Sequence, residues 1–207
     1  MEPNHPLLKR AYELAGDREE IRQLYADWAG TYEADTLDGM GYVGPAVAAE
    51  ALAKALPKTG RVLDAGCGTG LAGLELAKHS AVQIDGVDLS AEMLKKAAEK
   101  NVYTSLGEAD LTRPLDMPEN SYDGVISVGV FTLGHVPPQS LEHLARVAKP
   151  GAPMVVTVHE GVWDKEAYPT QLARLKEAGV IRGYTVDKAF YHEKENYTCK
   201  LCVLEAA

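Results

Sequence analysis

Three glycines alternate with other residues in the segment Asp64-Ala65-Gly66-Cys67-Gly68-Thr69-Gly70. Glycines at this spacing allow a tight turn and let a ligand approach the backbone without a Cβ in the way. A loop that cradles the pyrophosphate of a dinucleotide has the spacing G-x-G-x-x-G instead. Here the spacing is G-x-G-x-G, and the preceding carboxylate of Asp64 suits a cation better than a phosphate. The loop therefore predicts a site for a cationic ligand without phosphate.

A second carboxylate, Asp88, follows the glycine loop by about 20 residues, at the end of a predicted strand. A carboxylate in this position can accept hydrogen bonds from both ribose hydroxyls of an adenosine. Taken alone, an aspartate at a strand end is more often a helix cap. Its pairing with the glycine loop favours the ribose interpretation.

Short apolar runs alternate with helical patterns from Arg61 onward. The alternation predicts a mostly parallel sheet covered on both faces, with its ligand site at the carboxyl ends of the strands. A helix and two strands at the end of the sequence predict an antiparallel hairpin. The predicted strands are 61–65, 82–88, 102–106, 122–128, 152–159, 186–191 and 197–204, and the helices between them are 71–79, 91–100, 139–148 and 169–178.

The N-terminal part of the sequence is helical by its pattern. Asp17 is a candidate N-cap, and after it a stripe of apolar and aromatic residues recurs at helical spacing: Ile21, Leu24, Tyr25, Trp28 and Tyr32. Pro45 opens a second helix that ends before Pro57. We expect one domain over residues 1–207, with a helical lid in 1–57 and an α/β core in 58–207.

Composition limits the classes of partner. The 207 residues contain 21 Lys and Arg against 30 Asp and Glu, a formal net charge of −9, which disfavours nucleic acid as a partner. We expect no membrane span, and the run 1–6 lacks the pattern of a signal peptide. Three cysteines indicate a reducing, cytoplasmic location. Cys199 and Cys202 are interpreted as strand residues pointing to opposite faces, and no metal site is predicted.

Five ordered segments together resemble the class I methyltransferases that use S-adenosylmethionine (SAM), whose sulfonium and ammonium are cationic. The resemblance covers about residues 20–205 and is carried by residues 62–70, 86–94, 107–111, 122–127 and 144–151. The chain is most similar to the methyltransferase-like proteins of the Williams-Beuren region type, through Y-x-x-W-A-x-x-Y at 25–32 and Gly-His-Val at 134–136. The resemblance implies a Rossmann-like sheet of seven strands in the order 3-2-1-4-5-7-6, with the last strand antiparallel, beneath an N-terminal helical lid.

The resemblance also implies roles in binding SAM. The glycine loop would lie under the methionine moiety with Asp64 near the ammonium, and Asp88 would bind the ribose. Leu89 and Met93 would flank the adenine, and Asp110 would accept a hydrogen bond from the adenine amino group. The full predicted set is Tyr25, Trp28, Tyr32, Asp64, Gly66, Cys67, Gly68, Gly70, Asp88, Leu89, Met93, Asp110, Leu111, Ser127 and Val128.

The acceptor side is less constrained by the sequence. Methyl transfer from a sulfonium is an in-line displacement that needs alignment and exclusion of water, and a hydroxyl acceptor would also benefit from a general base. His135 and His159 are the candidate bases. The predicted acceptor contacts are Tyr42, Gly129, Phe131, Trp163 and His192.

The sequence leaves three functions to compare. The first is methylation of a small-molecule acceptor, and the second is a non-catalytic scaffold that binds SAM or its product S-adenosylhomocysteine. The third, an NAD-linked oxidoreductase, is disfavoured by the glycine spacing. Residues 127–131 also lack the N/D-P-P-Y/F motif of enzymes that methylate amino groups of nucleic acids and proteins. The acceptor, the methylated atom and the oligomeric state stay open.

Overall fold

A computed structural model of the protein describes residues 5–14 and 16–207. The helices are α1 (Pro6–Glu13), α2 (Arg18–Trp28), α3 (Gly44–Ala55), α4 (Leu71–His79), α5 (Ala91–Glu99), α6 (Leu141–Val147), α7 (Glu160–Trp163) and α8 (Tyr168–Glu177). The strands are β1 (Arg61–Ala65), β2 (Gln83–Asp88), β3 (Tyr103–Glu108), β4 (Gly124–Phe131), β5 (Pro153–His159), β6 (Ile181–His192) and β7 (Tyr197–Ala206). A π-helical segment (Ala34–Met40) follows α2.

The strands form one sheet in the order β3-β2-β1-β4-β5-β7-β6. β1 to β5 pair in parallel, whereas β7 runs antiparallel to both β5 and β6. The predicted strand order and terminal hairpin are therefore confirmed. β6 begins at Ile181, five residues before the predicted 186, and Ile181 pairs with Ala206 at the far end of β7.

Two apolar layers cover the sheet. Leu63 and Val125 pack on one face with residues of α6 and α8, while Val62 and Ile126 pack on the other with residues of α3 and α4. This arrangement explains why β1 is buried along four successive residues. Cys202 belongs to the first layer and Cys199 to the second, as predicted for strand residues three apart.

The N-terminal helices α2 and α3 lie on different parts of the sheet. The Asp17 carboxylate caps α2 by accepting the Glu19 and Glu20 N–H groups, as predicted. α3 packs its buried Ala48, Ala49 and Leu52 against the sheet, so this helix belongs to the covering layer and α2 remains over the strand ends. α1 and the π-helical segment have no counterpart in the predicted elements.

The N-terminal run 1–6, whose sequence lacks the pattern of a signal peptide, lies mostly outside the described residues. In the described part of the chain, no helix has the length and apolar character needed to cross a bilayer.

Candidate active site

A cavity of about 860 Å³, its open mouth included, lies at the carboxyl edge of the sheet. The loops after β1 to β4 line one side of it, and α2 lines the opposite side. Open parallel sheets bind ligands at this edge.

The glycine loop after β1 is tied to the neighbouring strand. The N–H groups of Gly66 and Cys67 both donate to the Val87 carbonyl, at 2.7 and 2.9 Å. Gly66 and Gly68 have φ values of +77° and +54°, a left-handed region in which glycine is favoured. A Cβ on Gly66 would lie 2.2 Å from Val130 Cγ2, whereas a Cβ on Gly68 would meet open space beside the cavity. The loop thus presents bare backbone to a ligand.

Asp88 joins the loop to the end of β2. Its Oδ2 accepts the Gly68 N–H and its Oδ1 accepts the Ser90 N–H, both at 2.9 Å. Burial raises the pKa of this carboxyl, and the backbone hydrogen bonds act in the opposite direction. Because Asp88 lines the cavity, its remaining acceptor capacity is available to ligand hydroxyls.

Asp64 lies behind the loop and does not line the cavity. Its Oδ2 accepts a hydrogen bond of 2.6 Å from the Tyr103 hydroxyl, and its Oδ1 is buried with no partner. Desolvation raises the pKa of Asp64 to about 7. Thr69, on the cavity wall, also has a buried hydroxyl oxygen without a partner. Two polar atoms around the glycine loop are therefore left unsatisfied by the protein.

α2 closes the cavity through two side-chain contacts. Arg18 in its first turn lies 3.3 Å from the Asp110 carboxylate after β3. Further along α2, the Tyr25 hydroxyl lies 3.1 Å from His135 Nε2, in the loop after β4. The lid is held at both flanks of the site.

Trp28 supports this lid from behind. Its indole N–H donates to Asp35 at 2.8 Å, and its ring stacks on His5 and meets Tyr32 edge-on. Trp28 is 1% exposed and does not line the cavity, whereas Tyr25 and Tyr32 do. Its place in the aromatic stripe is structural.

Comparison with known proteins identifies the family. The family model described as "Methyltransferase domain" matches residues 62–151. Human methyltransferase-like protein 27 is 35% identical over 167 residues, covering 77% of this chain and 67% of that protein. Phosphatidylethanolamine N-methyltransferase of Cereibacter sphaeroides is 35% identical over 106 residues, 48% of this chain and 51% of the relative. The chain belongs to the class I SAM-dependent methyltransferases.

A solved structure shares the same fold. The crystal structure of a SAM-dependent methyltransferase from Thermotoga maritima superposes with a TM-score of 0.64 at 19% identity, covering 89% of this chain and 98% of the other. The methyl donor is SAM. The residues present fit it, because the site offers bare glycine backbone, a cavity-lining carboxylate and two unsatisfied buried oxygens near the loop.

Most of the predicted SAM-binding residues meet on the methyltransferase cavity. Those that line it are Tyr25, Tyr32, Gly66, Cys67, Gly68, Asp88, Leu89, Met93, Asp110, Leu111 and Val128. Besides Trp28 and Asp64, two others do not. Gly70 is packed against Tyr103 and Ala97, and the buried Ser127 hydroxyl donates to the Ala65 carbonyl at 2.7 Å. These four residues hold the site from behind.

Of the five predicted acceptor contacts, two line the cavity and three do not. Tyr42 and Gly129 line the cavity, and the Tyr42 hydroxyl lies 3.1 Å from that of Tyr191. Phe131 is buried edge-on against Tyr168, and Trp163 stacks on that same ring, so neither reaches the cavity. His192 packs edge-on behind Tyr42 and is 3% exposed.

The two candidate bases differ in their availability. His135 lines the cavity, and burial lowers its pKa. His159 does not line it: Nδ1 accepts the Gly161 N–H at 2.9 Å and Nε2 contacts the Tyr197 hydroxyl. Burial and the nearby His192 lower the pKa of His159 to about 4. With both ring nitrogens bound by the protein, His159 is placed as a helix cap instead of a base.

Two residues missed by the sequence analysis belong to this site. Arg18 lines the cavity together with Ile21 and Tyr25, which follow it at helical spacing on the same face of α2. That spacing is a signal that could have revealed it. Tyr191 is the buried partner of Tyr42 and lies on β6. The sequence predicts the β6–β7 hairpin but holds no local signal that Tyr191 meets Tyr42.

Proposed function

We propose that this methyltransferase acts on a small-molecule acceptor, by in-line displacement at the methyl carbon. The observation that supports it is the position of α2, which covers part of the cavity. α2 spans its mouth from Arg18 at one flank to Tyr25 at the other, bound to Asp110 and His135. A polymer would need an open groove beside the methyl group, whereas a small acceptor can be enclosed and shielded from water.

The cofactor end of the cavity is assigned to the loops after β1, β2 and β3. Gly66, Cys67 and Gly68 would lie under the methionine moiety, and Asp88 would accept the ribose hydroxyls. Leu89 and Met93 would flank the adenine near Asp110 and Leu111. When bound, SAM supplies an electrophilic methyl group on a sulfonium. The protein's part is to orient the two reactants and to exclude water.

The acceptor end is assigned to Tyr42, Pro45 and Gly129, close to Val128. A Cβ on Gly129 would lie 3.0 Å from both the Tyr42 and the Tyr191 hydroxyl oxygens. The glycine therefore makes room for this hydroxyl pair, and the Tyr42 oxygen, which belongs to a cavity-lining residue, can hydrogen-bond an acceptor.

A non-catalytic scaffold is the less supported alternative, because the glycine loop, Asp88 and the open acceptor end are all retained. The net charge of −9 supports an acceptor other than a nucleic acid. Three buried cysteines that form no disulfide support a cytoplasmic location.

The test is methyl transfer to fractionated acceptors. The protein is incubated with methyl-labelled SAM and either the low-molecular-weight or the macromolecular fraction of one cell extract, with an Asp88→Asn variant as the control. We expect Asp88-dependent label in the small-molecule fraction. Label only in protein or nucleic acid would contradict the proposed acceptor class, and SAM binding without transfer to either fraction would favour the scaffold.

A further inference from the structure

His135 carries its ring proton on Nδ1. A carbonyl oxygen only accepts hydrogen bonds, so the 2.7 Å contact between Nδ1 and the Leu133 oxygen places the N–H there. The Thr132 hydroxyl lies on the same side of the ring, 3.1 Å from Nδ1. In the neutral imidazole the lone pair is then on Nε2, which faces the Tyr25 hydroxyl at 3.1 Å. The Tyr25 O–H therefore donates to Nε2.

The acceptor end of the cavity offers no free positive charge. Asp88 and Asp110 are assigned to SAM, and among the described residues on the cavity wall the one Lys or Arg side chain is Arg18, which is paired with Asp110. Tyr25, Tyr32 and Tyr42 contribute aromatic rings, whose faces attract cations. A carboxylate or phosphate acceptor would find no unpaired positive group on this wall.

We propose that the acceptor is a basic amine that enters as its ammonium ion, and that the Tyr25–His135 pair removes the ammonium proton before methyl transfer. The proposal rests on the methyl transfer proposed above and specifies its acceptor. An alkylamine resembles the lysine side chain, with a pKa of about 10.4, so its nitrogen holds no free lone pair at neutral pH. An ammonium beside a sulfonium is also repelled, which makes deprotonation necessary for a productive approach.

The ammonium proton moves to the Tyr25 oxygen while the Tyr25 proton moves to His135 Nε2. The freed nitrogen lone pair forms a bond to the methyl carbon, the carbon–sulfur bond breaks, and its electron pair stays on sulfur. The products are a methylated ammonium, the neutral thioether and an imidazolium, which returns its proton to solvent.

The surroundings of His135 keep its ring unprotonated, so Nε2 has a lone pair that can receive a proton. Burial lowers its pKa, and the positive charge of Arg18 on α2 acts in the same direction. Tyr25 is the other titratable group that faces the ring, and burial raises its pKa, so it stays protonated. His135 is consequently neutral at pH 7 and above.

The experiment compares isosteric acceptors across pH. The full chain, with methyl-labelled SAM, is given phenethylamine, 2-phenylethanol and 2-phenylethanethiol, which share one scaffold and differ in the nucleophilic atom. Turnover rates are measured between about pH 7 and pH 9 for the wild type, His135→Gln, Tyr25→Phe and the double variant. His79→Gln, an exposed histidine on α4, is the control, and SAM binding is measured by calorimetry for each protein.

We expect transfer to the amine, with a wild-type rate nearly independent of pH in this range. The His135→Gln and Tyr25→Phe rates should fall about 100-fold at pH 7 and rise about tenfold per pH unit, as free amine accumulates. The double variant should lose no more than either single one. Transfer to the alcohol or thiol but not to the amine overturns the inference, as does an unchanged pH profile in His135→Gln. Transfer to none of the three by a protein that binds SAM counts against the amine class, and the fractionated-extract experiment then decides whether methyl transfer itself fails.

Discussion

Asp64 and Tyr103 share a hydrogen bond of 2.6 Å that uses only one of the two carboxylate oxygens. The other oxygen is buried without a partner, directly behind the glycine loop. A buried carboxylate in this state destabilises the unliganded fold, because one oxygen has lost water and gained nothing. Asp64 therefore supports the glycine loop from behind, with one carboxylate oxygen left unsatisfied.

The first prediction concerns this carboxylate. Its pKa in the fold, about 7, lies above the ordinary 3.8, so the fold favours the protonated form. The stability that the fold gains from keeping Asp64 protonated is fully present below about pH 4. It is lost as the pH rises through about 7. Asp64→Asn cannot ionise, so we expect its thermal unfolding midpoint, relative to that of the wild type, to be higher at pH 8 than at pH 5.

Circular dichroism melts at the two pH values measure the difference. Any cost of the amide group itself is the same at both pH values. Only the change in the midpoint difference between pH 5 and pH 8 therefore reports the ionisation of Asp64. A difference that does not vary with pH would count against a neutral Asp64. Calorimetry on the same variant should show weaker SAM binding.

The second prediction concerns Asp88. Asp88→Asn replaces one acceptor oxygen with an N–H₂ group, which faces either a backbone N–H or the ribose site. We expect SAM affinity to fall at least tenfold, or about 1.4 kcal/mol, by calorimetry. Asp116→Asn, an exposed aspartate, is the control. Equal affinity in Asp88→Asn and the wild type would remove Asp88 from the ribose site.

The third prediction separates two glycines of one loop. Gly66→Ala would place a Cβ 2.2 Å from Val130, so it should lower the unfolding midpoint strongly. Gly68→Ala meets no atom within 4 Å, so its cost to folding is the left-handed backbone, about 1–2 kcal/mol. We expect Gly68→Ala to fold but to lose most SAM binding, because its methyl group enters the cavity. Melts and calorimetry on both variants check this, and tight SAM binding by Gly68→Ala would contradict it.

The fourth prediction concerns the lid. Arg18→Met keeps a long apolar stem but removes the ion pair with Asp110, so we expect faster SAM dissociation in stopped-flow experiments. Pairs this exposed contribute about 0–1 kcal/mol, which limits the effect to about fivefold. Arg22→Met removes a pair within the same helix and is the matched control. Dissociation rates that are equal in the two variants would show that Arg18 does not hold the lid.

The sequence was most informative where a local pattern fixes both the element and the position. Asp88 could be assigned to the cavity because the carboxyl end of β2 must lie beside the loop after β1. His159 also lies at the carboxyl end of a strand, but that position does not predict which groups bind its ring nitrogens. The groups that occupy its nitrogens are the Tyr197 hydroxyl, from β7, and the Gly161 N–H, from α7. Trp28 shared a helical stripe with Tyr25, and only tertiary packing separates their roles.

The lid was the harder part to predict. Helical spacing places Arg18 on the same face as Tyr25, but no local pattern predicts its ion pair with Asp110, which lies far along the sequence. The hydroxyl pair of Tyr42 and Tyr191 likewise joins residues 149 positions apart. Contacts of this kind depend on the complete sheet.

The position of β7 between β5 and β6 has a consequence during synthesis. β6 leaves the ribosome before β7, so the edge of β5 stays unpaired until residues 197–206 have emerged. An exposed edge of this kind can pair with other chains. Tyr191, which stands behind the acceptor end of the cavity, lies on β6, so the site too is completed only when β7 is inserted. Nascent chains paused within the hairpin should therefore depend on chaperones, and active enzyme should appear only after its last strand is released.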